Sequence, residues 1–318
     1  MTDTTPILIL LSTYQGEKYL ATQLDSIISQ SYTDWTLVIR DDGSRDGTLA
    51  LIKTYAEIES RIHLLSDNLG NIKPAKSFAA LMHYALTRNE NYIFFCDQDD
   101  VWQPNKLALQ VNLLNDMQAQ YGNTMPLLIH SDLSVVDQRL QTIHPSFLRF
   151  EKISRNTQAP LNTLLINNFV TGCTMGINRA LLNIVTPVPD DIIMHDWWCA
   201  LCASAMGKIA FLNEASVLYR QHSHNSIGSQ GFYGKLKELA KLKTNMTAKK
   251  KNMGLCFAQA AKLLARMDKH APHFSLITSF LALEQQSLFS RYLSASKIQL
   301  KATNQLRMLA FWFMLAIV

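Results

Sequence analysis

The run Tyr92-Ile93-Phe94-Phe95-Cys96 ends abruptly in Asp97-Gln98-Asp99-Asp100. A short, unbroken stretch of apolar β-formers reads as a buried strand. Such a strand needs covering layers and therefore a sheet within an α/β or sandwich architecture. Carboxylates delivered to its end are costly unless paired or bound to a cation. In open α/β sheets, ligand crevices lie at the carboxyl ends of strands, where this cluster would sit. Hard oxygen ligands suit Mg²⁺ or Mn²⁺, ions that commonly engage substrate phosphates as well.

The flanking sequence supplies the rest of an α/β fold. Ile7–Ser12 reads as a central parallel strand, and Trp35–Ile39 and Arg61–Leu65 as two more. Between and after them, helical spacing covers Glu17–Gln30, Gly47–Tyr55 with Asp46 as its cap, and Pro74–Arg88. A helix is expected from Pro104 to about Tyr121, strands at Leu127–His130 and Ser134–Val136, and a Gly-interrupted strand at Phe169–Thr174. A helix over Asp196–Met206 and a last strand at Ala215–Tyr219 follow; within the irregular stretch 145–165, Phe147 to Pro160 is expected to be a mobile loop over the site. Strands alternating with helices predict a mostly parallel, doubly wound sheet with helices on both faces.

Beyond Gly231 the β-rich runs cease, and Ser, Gly and Gln cluster at 228–234. This predicts a catalytic domain over 1–229 and a helical region over 230–318. The charge divides there too: residues 1–229 hold 16 Lys/Arg against 22 Asp/Glu, and residues 230–318 hold 14 against 3. The halves are expected to face different partners. The five cysteines form no disulfide framework, and Cys199-x-x-Cys202 has no second pair at zinc spacing, so buried reduced thiols are expected. The polar start, MTDTTP, does not resemble a signal peptide.

Singly, the polar motifs are ambiguous. Asp41-Asp42-Gly43-Ser44 is also a turn signature, Asp46 a helix cap, and Trp197-Trp198 an ordinary core pair. Their order along the chain is more informative. Ser12-Thr13-Tyr14-Gln15, Asp41-Asp42 and Asp97-Gln98-Asp99 each follow a predicted strand and can line one crevice. Asp41 or Asp42 can accept from the N3–H of uracil or thymine, Asp97 from a ribose hydroxyl, and Asp99 can hold an ion bridging two phosphates. Asp196 between apolar neighbours has the surroundings of a general base, because partial burial raises a carboxyl pKa. Trp197 and Trp198 offer an apolar wall for a sugar face.

This arrangement resembles the family 2 glycosyltransferases of the GT-A fold. The resemblance rests on Ser12–Leu20, Asp41–Thr48, Asn68-Leu69-Gly70, the Asp97–Leu107 stretch, Thr171-Gly172-Cys173, His195-Asp196-Trp197-Trp198 and Tyr219-Arg220-Gln221-His222. The Asp-Gln-Asp-Asp-Val-Trp and His-Asp-Trp-Trp forms look most like rhamnosyltransferase-type members of bacterial surface polysaccharide synthesis. The resemblance implies an inverting, metal-dependent enzyme moving a sugar, rhamnose among the candidates, from a dTDP- or UDP-sugar to a glycan or lipid-linked acceptor. It implies nucleotide-sugar contacts from Ser12, Thr13, Tyr14, Glu17, Asp41, Asp42, Asn68, Lys76, Asp97 and Trp197. Asp99, Asp97 and His222 would hold Mg²⁺ or Mn²⁺, and Asp196 would be the catalytic base. Arg220-Gln221-His222 departs from the Gln-x-x-Arg-Trp motif of processive relatives, which implies addition of one sugar.

The alternative class is a catalytically silent GT-A module that binds glycan or serves assembly; retention of every expected carboxylate speaks against it. A sugar-nucleotide pyrophosphorylase would need a Gly-rich basic loop that Ser12–Glu17 lacks. The Lys-rich tail (Lys235, Lys237, Lys241, Lys243, Lys249, Lys250, Lys251) suits anionic lipid better than nucleic acid, for which stacking aromatics are sparse. Leu306–Val318 is apolar apart from Arg307, and as a helix it spans only about 20 Å, too short for a bilayer core of about 30 Å. It is expected either to lie on a membrane surface or to dock on the protein. A cytoplasmic protein, peripheral at the inner membrane face, is the expectation.

Overall fold

The computed structural model describes residues 5–155, 157–222 and 242–316, and for 242–249 the backbone alone. Strands β1 (Ile7–Thr13), β2 (Trp35–Asp41), β3 (Ile62–Leu65) and β4 (Tyr92–Asp97) alternate with helices α1 (Leu20–Ile28), α2 (Thr48–Ile58) and α3 (Pro74–Ala85). Next come β5 (Val101–Trp102), α4 (Lys106–Tyr121), β6 (Leu127–Val136), β7 (Thr142–His144) and the short helices α5 (Phe147–Phe150) and α6 (Pro160–Leu164). The chain continues through β8 (Gly176–Asn178), α7 (Arg179–Val185), α8 (His195–Met206) and β9 (Lys208–Arg220). Four helices complete it: α9 (Leu242–Leu264), α10 (Phe274–Ala282), α11 (Leu288–Lys297) and α12 (Gln305–Leu315).

The strands form one sheet in the order β3-β2-β1-β4-β8-β6-β9-β5, with β7 alongside β6. The strands β3, β2, β1 and β4 pair in parallel, as their alternation with helices predicts. Beyond β4 the sheet is mixed: β8 is antiparallel to both β4 and β6, and β5 to β9, while β6 and β9 run parallel. A run of apolar residues records burial on both faces and not strand direction, so the sequence could not separate these halves. The chain winds from β1 outward to β3 and then returns to β4 on the other side of β1. That reversal opens a crevice at the carboxyl ends of β1 and β4.

Strand alternation sends side chains to opposite faces. Leu8, Leu10, Ile93 and Phe95 enter one core with Phe78, Leu81 and Met82 of α3 and with Trp198 of α8. Ile7, Ile9, Leu11, Phe94 and Cys96 enter the other with Leu20, Leu24 and Ile27 of α1 and Leu107, Val111 and Leu114 of α4. Met253, Phe257, Ile277, Phe280, Phe311, Met314 and Leu315 of the C-terminal helices join the first core. All five cysteines are free and buried.

Two expected strands are different objects. Leu127–His130 and Ser134–Val136 are one strand, β6, whose partnership with β9 shifts register near Asp132. Phe169–Thr174 is no strand: Gly172–Thr174 form a 3₁₀ turn ahead of β8. The turn brings Gly172 against α8, where a Cβ would lie 2.9 Å from His195 Nε2. Of the basic tail, Lys235, Lys237 and Lys241, and the side chains of Lys243 and Lys249, lie outside the described residues, while Lys250 and Lys251 are exposed on α9. Among the described residues no helix is long and apolar enough to cross a membrane.

Candidate active site

The crevice is built from three strand ends and one helix start. In register, Thr13 of β1 lies beside Asp41 of β2, and Ser12 beside Asp97 of β4. Gln98 follows Asp97 and reaches back to β1. Its Oε1 accepts from Thr13 Oγ1 at 2.6 Å and from the Tyr14 amide at 2.8 Å, while its Nε2 donates to the Tyr14 carbonyl at 3.1 Å. Gly16 sits beneath this clamp, with room for no Cβ. Tyr14 itself stays exposed at the rim.

The Asp41-Asp42-Gly43-Ser44 loop divides its two carboxylates. Asp42 faces inward and is 3% exposed; it accepts from Arg40 Nη1 at 2.6 Å and from the amides of Ile72 and Lys73 at 2.8 and 2.9 Å. Buried Arg40 also binds Asp67 Oδ2 at 2.5 Å and the Gly70 carbonyl at 2.9 Å. It therefore ties the loop after β2 to the Asp67–Gly70 loop carrying Asn68. Asn68 adopts a positive φ of 55°, a left-handed conformation that asparagine tolerates. Asp41 closes its own turn, accepting from the amides of Gly43 and Ser44 and, at 2.5 Å, from Ser44 Oγ. Gly43, at φ 82°, makes that turn accessible.

Three further residues from the sequence reading have partners of their own. Ser12 Oγ donates to Ser77 Oγ at 2.6 Å, Glu17 accepts from the Gly47 amide at 3.0 Å, and Lys76 pairs with Asp190 at 2.9 Å on the surface. The Glu17 contact serves the start of α2, beside Asp46, which accepts from the Thr48 amide and hydroxyl.

The acidic centre lies at the end of β4. Burial, then the charges of Asp99 and Asp196, push the Asp97 carboxyl up to about 7. Asp99 follows on the same loop, and Asp196 is held at Gly172, the neighbour of Cys173. Asp196 stands in the first turn of α8 and is 7% exposed. Burial raises it to about 6, against the opposing effect of the Trp197 and Gly172 amides, which donate to it at 2.6 and 3.1 Å. Trp197 is half-buried, and its Nε1 donates to the Leu164 carbonyl at 2.6 Å. His195 is buried against Phe78, with ring centroids 3.8 Å apart, and burial holds it neutral, at about 3.

Asp99 Oδ2 lies 2.7 Å from His222 Nε2, and the His222 ring stacks on Tyr19. Asp100 is fully buried: its Oδ1 accepts from the Arg220 amide at 3.3 Å, and its Oδ2 has no hydrogen-bond partner. One ligand atom each from Asp97, Asp100 and Cys173 fall within 4.8 Å of one another. Burial raises the Cys173 thiol well above its ordinary value and so keeps it protonated. The carboxylate oxygens are thus the hard donors present, and crowded, desolvated like charge is what a divalent cation relieves. Asp97 and Asp100 could hold such an ion; among the described residues the expected trio of Asp99, Asp97 and His222 is not gathered in this way, and Asp99 is instead paired with His222.

Sequence reasoning missed three residues here: Gln98, Arg40 and Arg220. Arg40 had a signal, a cation inside an otherwise apolar strand next to two aspartates. Gln98 had none, because its partners are 84 and 85 residues away. Arg220 donates to the Asp99 and Gln138 carbonyls at 2.9 and 2.7 Å.

A family profile described as Glycosyl transferase family 2 matches residues 8–184, more than half of the chain, from Leu8 in β1 to Ile184 in α7. The chain belongs to glycosyl transferase family 2. It is 27% identical over 241 residues to the dTDP-rhamnosyl transferase RfbG of Shigella flexneri, covering 72% of this chain and 78% of that protein. It is 30% identical over 179 residues to the UDP-Glc:alpha-D-GlcNAc-diphosphoundecaprenol beta-1,3-glucosyltransferase WfgD of Escherichia coli, covering 55% of this chain and 61% of that protein. The match thus spans less than two thirds of WfgD. The mannosyltransferase PcManGT of Pyrobaculum calidifontis, solved with GDP-Man and Mn²⁺, superposes with a TM-score of 0.55 at 16% identity, covering all of this chain and 82% of that one. The fold is GT-A-like, and the family 2 chain is a glycosyltransferase.

Proposed function

We propose that this family 2 glycosyltransferase is an inverting, metal-dependent enzyme of cell-surface polysaccharide synthesis. It would transfer a sugar from a dTDP- or UDP-activated donor to a glycan or lipid-linked acceptor at the inner membrane face. The observation that carries the reading is geometric. Asp196 accepts from the Gly172 amide at 3.1 Å, and the adjacent Cys173 has its Sγ within 4.8 Å of carboxylate oxygens of Asp97 and Asp100, which supports a base from α8 near the end of β4. RfbG and WfgD, whose names specify dTDP-rhamnosyl and UDP-Glc transfer, support the donor class and keep rhamnose among the candidate sugars. The diphosphoundecaprenol in WfgD's name supports a lipid-linked acceptor.

Each residue has a task in this reading. Asp41 and Thr13 line the base pocket, Asp42 holds the loop through Arg40, and Asp97 accepts from the ribose. Asp99, Asp97 and His222 would hold Mg²⁺ or Mn²⁺, which supplies charge neutralisation for the departing diphosphate. Asp196 takes the proton of the acceptor hydroxyl as that oxygen attacks the anomeric carbon from the face opposite the diphosphate. Trp197 presents its indole face to a sugar. A panel of nucleotide sugars, assayed with Mn²⁺ and with EDTA, tests the whole. Transfer with net inversion from a dTDP- or UDP-sugar is expected. Asp99→Ala should weaken nucleotide binding only when metal is present; an equal loss in EDTA would contradict the metal role.

A further inference from the structure

The two last helices show apolar residues to both sides. Phe311, Met314 and Leu315 of α12 enter the core. On its opposite face Leu306, Leu309 and Phe313 are 76%, 65% and 56% exposed. A helix apolar all round is normally buried all round, and among the described residues the outer face has no partner. Neighbouring α11 extends the patch with Leu288, Phe289 and Leu293, Phe289 being 76% exposed. The two helices are locked together: Arg291 Nη1 donates to the Leu315 carbonyl at 2.8 Å, and the Tyr292 hydroxyl donates to the Trp312 carbonyl at 2.7 Å. Six large exposed apolar side chains on a rigid helix pair mark an interaction surface.

Charge identifies the occupant. No Asp or Glu follows Glu284; of the four Lys and Arg that do, Arg291 is buried and Arg307 lies 3.9 Å from Glu151. Lys297 and Lys301 are exposed beside the patch. A second copy of this surface would bring like charge together, whereas an anionic leaflet complements it.

We infer that the outer face of α11 and α12 seats this protein on an anionic lipid surface. The inference rests on the membrane-face reading above and gives it an address. The segment joining these two helices is bonded to α6 and to the chain ahead of it. Asn162 Nδ2 donates to the Ile298 carbonyl at 2.6 Å, and the Ser154 amide to the Thr303 carbonyl at 2.7 Å. Asn162 belongs to α6, whose Leu164 carbonyl holds the Trp197 indole beside Asp196. The segment between the two helices is thus linked through α6 to Trp197, next to Asp196.

Flotation of the full chain with phosphatidylcholine vesicles, with and without phosphatidylglycerol, tests this. The wild type should float with the anionic vesicles at low salt and stay behind with the neutral ones. The Phe289→Asp/Leu306→Asp double variant should lose at least about tenfold in partition. Lys297→Glu/Lys301→Glu should lose about fivefold or more per charge changed, with the loss disappearing at high salt. Circular dichroism and nucleotide binding in solution should stay unchanged in both. Equal flotation of either variant overturns the inference, as does a wild type that fails to float. Light scattering that shows a dimer dissociated by Phe289→Asp overturns it in favour of a self-interface. Donor turnover on a water-soluble acceptor reports separately on the functional reading, so its failure leaves the flotation result standing.

Discussion

His222 Nε2 and Asp99 Oδ2 lie 2.7 Å apart, although 123 residues separate them in the chain. β9 ends at Arg220, which donates to the Asp99 carbonyl, and the next two residues carry the imidazole onto the acidic loop. A carboxylate and an imidazole placed this way can share a divalent ion or orient one another toward it.

The His222→Ala variant is therefore expected to weaken Mn²⁺-dependent nucleotide binding by roughly 10- to 100-fold, the usual cost of losing a ligand-orienting partner. Calorimetric titration of UDP with and without metal reads this directly. An unchanged affinity in metal would remove His222 from the site.

Asp196 governs the chemical step. The Asp196→Asn variant should lose about 10²- to 10⁴-fold in turnover, the range of general-base catalysis, while nucleotide affinity holds. Burial raises this carboxyl to about 6, and a base must be ionised to act. Turnover should accordingly fall about tenfold per pH unit below about 6 and level off above it. A profile flat from neutrality to the ordinary carboxylate range would exclude Asp196 as the base.

Arg40 supports two loops from a fully buried position, and its removal strands Asp42 and partly buried Asp67. Breaking a buried ion pair by deleting one partner costs about 3–5 kcal/mol, so Arg40→Met should lower stability by about that amount in urea unfolding. A loss below about 1 kcal/mol would be that of a surface ion pair and would show that water readily reaches both aspartates.

Buried His130 is held neutral, at about 3, by burial and by the nearby Arg155 charge. Its native value lies below its unfolded one, so the unfolded chain takes up the proton first. The stability is complete above the unfolded value near 6.5 and is lost as pH falls toward 3. Asp97 and Asp196, raised by burial, act in the opposite direction over part of that range. A comparison with His130→Phe isolates the histidine: below pH 6 the wild type should lose up to about 1.4 kcal/mol more per pH unit than the variant. Parallel stability curves would contradict the neutral buried state.

Much of the fold was legible. The apolar runs beginning at Ile7, Trp35 and Tyr92 became β1, β2 and β4 because burial on both faces leaves a continuous signal. The turn after Asp41 announced itself through Gly43 and Ser44. Strand direction past β4, the 3₁₀ turn at Gly172 and the merging of two expected strands into β6 left no local trace. They depend on which strand lies alongside, and a sequence window does not contain its neighbour.

Residue chemistry alone determined that this chain carries carboxylates at strand ends, a basic C-terminal portion and an acidic residue beside two tryptophans. Which carboxylate does what was decided by tertiary structure. Asp42 is held by Arg40 and two amides, Asp41 closes its own turn, and Asp97 is raised by burial first and then by the charges of Asp99 and Asp196. Only the fold could also show that the apolar tail docks with one face and leaves the other exposed. The physical reason is common to all of these. Charge and hydropathy are local properties of a residue, whereas desolvation and pairing depend on neighbours that folding brings from far along the chain.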